Sequence, residues 1–159
     1  MQKSAVRDAI IAQLQRELDL QARAAHESRD EATSAENKAE GKYDMRSQEA
    51  AYLAEGQARL VLEIAESLTL YHGIDLTELP ANASAAVGSI VTLETRGRQT
   101  RYFIGPRNGG LEALVGDTSF TVITPSSPLG RQIVGQRVGA IVQLPGRGGP
   151  VQHKIIEIR

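Results

Sequence analysis

The spacing of apolar positions changes once along the chain. From about residue 4 to 28, and again from 44 to 72, apolar residues recur every three or four positions, which is typical of one packed face of an α-helix. The first stretch carries Val6, Ile10, Ile11, Leu14, Leu18 and Ala25, with Gln21 between. The second carries Leu53, Gln57, Leu60, Ile64 and Ser67, with Ala50, Ala54, Val61 and Leu68 beside them. Two such helices predict an antiparallel coiled-coil hairpin.

The polar segment 29–40 lies between the two stretches and is predicted to be the tip of this hairpin. If residues of similar size meet across the hairpin, Ile11 pairs with Ile64 and Leu14 with Leu60. This pairing centres the turn near Asn37. Facing residues near that centre are mostly alanine, which predicts a thin distal end.

Beyond residue 86 the apolar period becomes two. Five segments rich in β-branched and aromatic residues predict strands. They are 89–93, 101–104, 119–123, 140–144 and 153–158. Between the third and fourth, Ser127 as N-cap, Pro128 at the first helical position and Gly135 past the end predict a short helix. The fold class is therefore α+β, with a small, mainly antiparallel sheet and one helix following the helical hairpin.

Proline and glycine support this division into two regions. All six prolines and twelve of the fifteen glycines lie beyond residue 79, so the residues that interrupt helices are concentrated in the second half. We predict a coiled-coil hairpin at 1–73, a linker at 74–86 and a β domain at 87–159.

Charge and composition narrow the function classes. Residues 1–79 hold nine Lys and Arg against fifteen Asp and Glu, and residues 80–159 hold nine against four, so neither half is basic enough to predict duplex DNA binding alone. Cysteine is absent, which excludes disulfides and thiolate metal sites. With neither a long apolar run nor a signal-peptide pattern, we expect a soluble cytoplasmic protein without a membrane partner.

Two motifs resemble those of a known family. Glu36-Asn37 in the polar segment and Ser-Pro-Leu-Gly-Arg…Val-Gly…Arg-Val-Gly across 127–139 resemble the Gre transcript-cleavage factors of bacterial RNA polymerase. The resemblance implies an FKBP-like fold for the β domain, which would dock at the rim of the polymerase secondary channel. The implied partner-binding residues are Ser126, Ser127, Pro128, Leu129 and Asn37.

The resemblance also implies a mechanism. The hairpin would pass down the channel, where Glu36 would help hold the second Mg²⁺ of the polymerase and activate water to hydrolyse backtracked RNA. Asp30 and Glu31 lie close enough in sequence for one of them to supply a further carboxylate. Hard Mg²⁺ prefers carboxylate oxygen, which suits that role. The implied factor needs no cofactor when free, contacts the nascent RNA 3′ end, and is not an enzyme alone but a stimulator of the polymerase's own cleavage reaction.

The polar segment departs from the family pattern Asp-x-x-Glu-Asn at one place, because Thr33 stands where the aspartate belongs. A hydroxyl is a poor replacement for a carboxylate ligand. A structural interpretation also remains open, in which Thr33 and Glu36 form a capping box at a helix start. The alternatives to a cleavage factor are therefore a non-cleaving channel regulator and a coiled-coil scaffold unrelated to polymerase, whose hairpin serves dimerisation.

Arginines on both predicted arms allow two interpretations. Arg23, Arg29, Arg46 and Arg59 would contact RNA or channel phosphates if the hairpin enters the channel. Salt bridges to neighbouring glutamates on a solvated helix face are the simpler interpretation. Prolyl isomerase activity, which an FKBP-like fold raises, is not favoured, because the second half supplies only Tyr102, Phe103 and Phe120 for an aromatic pocket.

Overall fold

The computed structural model describes residues 3–38 and 45–159; within the helices, the side chains of residues 32, 35–38, 46 and 47 fall outside that description. Contacts divide the chain into two compact units. Unit 1 comprises Met1–Ala12 and Thr69–Arg159, and unit 2 comprises Gln13–Leu68. None of the described helices is long and apolar enough to cross a membrane.

Helix α1 is longer than the sequence pattern predicted. It runs from Lys3 to Lys38, and helix α2 runs from Met45 to His72. The predicted turn near Asn37 is therefore wrong, and the connection between the helices lies in 39–44, outside the described residues. The helix continues because no glycine or proline occurs before residue 41 and the polar segment is rich in Ala and Glu, which are good helix formers.

The predicted capping box is also wrong. Thr33 lies inside α1, where its hydroxyl donates a hydrogen bond to the carbonyl oxygen of Arg29, four residues back, at 2.9 Å. A side chain that bonds back to the preceding turn cannot cap the start of a helix.

A stripe of low exposure follows each helix of unit 2. On α1 the least exposed positions are Leu14, Leu18, Gln21, Ala24, Ala25 and Ser28. On α2 they are Ala50, Ala54, Gln57, Val61, Ile64, Ala65, Ser67 and Leu68. Both stripes have the alternating three- and four-residue spacing of a coiled-coil seam, and the predicted antiparallel hairpin is confirmed.

The seam of α2 keeps Gln57, Ile64 and Ser67 of the predicted stripe but not its two leucines. Leu53 and Leu60 were predicted to pack in it, but they are 57% and 44% exposed. The series that contains buried Ile64 and Leu68 continues through Val61 and Ala54 instead. The predicted pairing of Leu14 with Leu60 is therefore wrong, since Leu14 is buried and Leu60 is not.

Unit 1 contains a six-stranded sheet in the order β3-β4-β2-β1-β6-β5. The strands are β1 (Ile90–Thr95), β2 (Arg98–Ile104), β3 (Glu112–Val115), β4 (Thr118–Ile123), β5 (Ile141–Leu144) and β6 (Val151–Ile158). Neighbours pair antiparallel except β2 and β4, which are parallel. The five predicted strands are confirmed; β3 was missed, because Glu-Ala-Leu-Val carries no clear strand signal.

The short helix α3 (Pro128–Ile133) covers one face of this sheet. Between α3 and the sheet lies a core cluster of buried residues: Ala85, Val91, Leu93, Ile104, Ile123, Ile133, Val142 and Ile155. Tyr102, Leu129 and Leu144 pack against this cluster. Phe103, Phe120 and Val122 alternate with these residues along their strands, so they point to the opposite face, where they are also buried. The sheet is therefore apolar on both sides at its centre, and the predicted α+β class is confirmed.

Candidate functional site

The Ser126–Leu129 segment forms a tight turn into α3. The Ser127 hydroxyl accepts a hydrogen bond from the Gly130 N–H at 3.0 Å and donates one to the Thr124 carbonyl at 2.8 Å. A side chain at Gly130 would overlap the Thr124 carbonyl and lie 2.9 Å from the Ser127 oxygen, so only glycine fits there. The predicted N-cap Ser127 and first-turn Pro128 are confirmed.

The four predicted docking residues divide into two kinds. Ser126 and Pro128 are exposed, whereas Ser127 and Leu129 are only partly so. The Ser127 hydroxyl caps the N-terminus of α3, and the Leu129 side chain packs against the core cluster. Ser126 and Pro128 are thus available to a partner, and the other two hold them in place.

A groove of about 580 Å³ opens beside α3. Its walls include Tyr102, Ile123, Leu129, Leu144 and Pro145, and mostly apolar groups line it. Burial raises the pKa of Tyr102 above its ordinary value. The groove continues toward the β5–β6 turn, past Pro128 and Pro150, as a second depression of about 550 Å³. A surface of this kind suits binding of an apolar partner and carries no group placed for acid–base chemistry.

Gln132 closes one side of both depressions. Its amide oxygen accepts from the Gln143 N–H at 2.8 Å, and its amide nitrogen donates to the Gln143 carbonyl at 3.0 Å. These two bonds imitate the pairing of a neighbouring strand at the outer edge of β5. No pattern in the sequence predicts this contact, because a glutamine on a six-residue helix has many possible partners.

The described acidic residues near the end of α1 are solvent-exposed. Asp30 and Glu31 both face solvent, and the Asp30 carboxylate lies 3.0 Å from Nδ1 of His26, one turn earlier. Thr33 is exposed as well. Glu36 and Asn37 lie on the same helix, but their side chains are outside the described set. The predicted assignments of Glu36, Asp30, Glu31 and Asn37 therefore stay predictions.

No metal site is formed by the part of the chain that the structure describes: no group of three or more His, Asp or Glu side chains is close enough to hold an ion. For Arg59 the structure supports a salt bridge to a neighbouring glutamate, because its guanidinium lies 3.7 Å from the Glu55 carboxylate on the exposed side of α2. Arg23 and Arg29 are exposed, and the side chain of Arg46 is outside the described set.

Comparison with known proteins places the chain in a family. Residues 80–159 match the family model described as transcription elongation factor, GreA/GreB, C-terminal. Over 141 residues the chain is 31% identical to "Transcription elongation factor GreA" of Thermomicrobium roseum, covering 87% of this chain and 80% of that protein.

Two solved structures are also similar. GreA factor homolog 1 of Thermus thermophilus is 18% identical and matches over 94% of each chain, with a TM-score of 0.39. A GreA/GreB elongation factor from Nitrosomonas europaea is 16% identical over 65% of this chain and 89% of its own, also with a TM-score of 0.39. From the family model and the curated relative, the chain belongs to the GreA/GreB family of transcription elongation factors.

Proposed function

We propose that this elongation factor binds bacterial RNA polymerase, inserts its helical hairpin into the secondary channel and modulates elongation there. The observation that carries the proposal is the unbroken α1 helix, together with the small residues of the hairpin seam. At ~1.5 Å per residue, the part of α1 in unit 2 is roughly 40 Å long. A pair of helices with a seam of Ala, Ser and Gln over much of its length is thin enough for a confined passage.

The exposed carboxylates support a role at the polymerase active site. Asp30 and Glu31 are free of the hairpin seam, so they are accessible to an ion that the polymerase supplies. Together with Glu36 they would add anionic oxygen ligands to a weakly held Mg²⁺ and help it activate water. In this form of the proposal the factor stimulates cleavage of backtracked RNA and contacts its 3′ end.

A second candidate function is a channel regulator that does not stimulate cleavage. Thr33 favours it, because this position carries a neutral hydroxyl whose proton is committed to the Arg29 carbonyl. Its oxygen is a weak ligand for Mg²⁺ compared with a carboxylate. Such a factor would act by occupying the channel.

An assay on stalled, backtracked elongation complexes with Mg²⁺ separates the two candidates. If the factor stimulates cleavage, shortened RNA appears with the wild type and is lost in Glu36→Ala, and it is reduced in Asp30→Ala/Glu31→Ala. Glu17→Ala is the matched control, since Glu17 is an exposed carboxylate more than three turns earlier on α1. Polymerase binding without shortened RNA supports the regulator. Cleavage that persists in Glu36→Ala contradicts the role of that residue.

Docking is tested separately on unit 1. Ser126→Glu places a charge on the exposed residue before α3 and is expected to weaken polymerase binding at least tenfold. Ser119→Glu is the control, since Ser119 is an exposed serine on β4 outside the groove. Wild-type protein that does not bind polymerase at all contradicts both candidate functions.

A further inference from the structure

The loop between β2 and β3 contains the single Asn-Gly pair of the chain, Asn108-Gly109. When glycine follows asparagine, no side chain shields the backbone nitrogen that lies next to the side-chain amide. The other two asparagines precede Lys38 and Ala83. Asn108 is therefore the asparagine at which the main chain is most open to reaction with the amide.

The loop leaves both groups of this pair without hydrogen bonds. The Asn108 amide oxygen is buried and has no partner among the described residues. The Gly109 N–H donates to none of the described groups, although the adjacent Gly110 N–H donates to the Val122 carbonyl at 2.8 Å. Gly109 is exposed, so water and hydroxide reach its nitrogen. No described hydrogen bond of these two groups has to break before they react.

The backbone conformation explains an asparagine at this position but not its unpaired amide. Asn108 has a φ of 61°, in the left-handed region that asparagine tolerates better than most residues. Its carbonyl oxygen accepts the Leu111 N–H at 3.1 Å and closes the turn. An asparagine in a turn commonly bonds through its side chain to nearby backbone, and buried polar atoms are usually paired. The Asn108 amide oxygen does neither, so no bond to it restrains the side chain.

Asn82 provides the contrast within the same unit. It is exposed, but the next residue is Ala83, whose N–H donates to the Pro80 carbonyl at 2.9 Å. The nitrogen beside Asn82 is therefore shielded by a methyl group and engaged in a hydrogen bond. Neither restraint applies at Gly109.

We propose that Asn108 is a self-deamidation site that converts slowly to aspartate and isoaspartate. The Gly109 nitrogen loses its proton to hydroxide and attacks Cγ of Asn108. The bond from Cγ to the amide nitrogen breaks, and that nitrogen takes a proton from water and leaves as ammonia. Water then opens the resulting succinimide ring. Cleavage at Cγ gives aspartate, and cleavage at the main-chain carbonyl gives isoaspartate, so the only reagent consumed is water.

The reaction places a negative charge where the structure buries an uncharged oxygen. None of the described donors bonds to that oxygen, so a carboxylate there is left buried and unpaired, which is costly. The neighbouring Arg107 carbonyl accepts the Tyr71 hydroxyl at 2.7 Å, and a shift of the loop disturbs this contact as well. Unit 1 should therefore lose stability as the molecule ages, and modified molecules should be degraded sooner by proteases.

Peptide mass spectrometry of the folded full chain, incubated at several pH values between about 7 and 9 and digested with pepsin in acid, tests the reaction. We expect position 108 to change from amide to acid at least tenfold faster than position 82, at a rate that rises with hydroxide concentration. Isoaspartate should be among the products, since direct hydrolysis of the amide gives aspartate alone. Equal or slower conversion at position 108, or aspartate as its only product, overturns the proposal.

Gly109→Ala is the matched variant for the reaction. A Cβ atom at Gly109 would lie 3.5 Å from the Thr124 side chain, an ordinary contact, and the φ of Gly109 is not positive, so the fold should be retained. The added methyl group should slow conversion at position 108 at least tenfold. An unchanged rate contradicts attack by the Gly109 nitrogen.

Asn108→Asp tests the consequence for stability, with Asn82→Asp as its control at an exposed position. Asn108→Asp should lower the thermal midpoint by about 4 °C or more and speed digestion of the folded protein by trypsin. Asn82→Asp should change the midpoint by less than about 2 °C. Equal midpoints for the two variants contradict the proposed loss of stability on ageing.

Discussion

The two units place their large apolar residues in opposite ways. Every large side chain that is fully buried belongs, among the described residues, to unit 1; examples are Tyr71, Phe103 and Leu93. Unit 2 buries mainly small or polar seam residues toward its distal end and leaves Leu20, Tyr52 and Leu62 exposed. Unit 1 therefore obtains its stability from its own core, whereas unit 2 leaves several large apolar side chains exposed to solvent.

The largest expected difference comes from one substitution made in each unit. Leu93→Ala removes a fully buried side chain from the core cluster and should lower the free energy of unfolding by about 2–5 kcal/mol. Leu20→Ala, at a position 61% exposed on α1, should change it by less than about 0.5 kcal/mol. Urea denaturation followed by circular dichroism measures both. Equal losses would remove the contrast between the units.

Glycine-to-alanine substitutions should have opposite signs in the two units. At Gly130 the added methyl group overlaps the Thr124 carbonyl, so the backbone must move and unfolding becomes easier by about 1–3 kcal/mol. At Gly56 it enters open space on a helix and should stabilise the monomer by about 1 kcal/mol. Thermal denaturation at low protein concentration tests both, and a loss of stability at Gly56 would mean that unit 2 is more tightly packed there than its exposure indicates.

Alkaline pH should destabilise unit 1 through a buried tyrosine. The Tyr71 hydroxyl donates a 2.7 Å hydrogen bond to the Arg107 carbonyl, and burial raises the pKa of Tyr71 well above its ordinary value of 10.0. Above pH 10 the unfolded chain releases this proton while the folded protein retains it. Stability should then fall by about 1.4 kcal/mol per pH unit until the folded group also ionises.

Tyr71→Phe tests this pH dependence. The variant loses the hydrogen bond at every pH, but its stability should fall less steeply above pH 10 than that of the wild type. Urea titrations at a series of alkaline pH values give the two slopes. Parallel slopes would show that another group controls the alkaline transition.

The smallest effect is expected for the ion pair on α1. His26 and Asp30 lie 3.0 Å apart, but their side chains are 78% and 68% exposed, so water and salt screen the interaction. His26→Ala should change the free energy of unfolding by less than about 0.5 kcal/mol. A loss of more than twice that size would show that this part of unit 2 depends on polar contacts for its stability.

The sequence predicted most of unit 1 because its strands are bounded by glycine and proline and carry β-branched residues. The α3 start was predicted to the residue, since the serine, proline and glycine around it leave few other conformations. The missed strand β3 is paired with β4 along its length and owes its conformation to that neighbour more than to its own side chains. Local propensity cannot detect such a strand.

The hairpin was harder to predict in detail for a physical reason. Two nearly equivalent apolar stripes run along α2, one through Leu53 and Leu60 and the other through Ala54 and Val61, and periodicity alone does not choose between them. The polar character of residues 29–40 also suggested a turn, although α1 continues to Lys38 because alanine and glutamate favour a helix.

The division of the chain into units bears on how this protein is made and how its arm length is set. Unit 1 combines residues 1–12 with residues 69–159, so during synthesis its first segment must wait until the last strand has been made before the unit is complete. The hairpin is in effect an insertion between two parts of one fold. Its arms can gain or lose matched seven-residue segments without altering the sheet, so the length of the hairpin can change in evolution independently of the β domain.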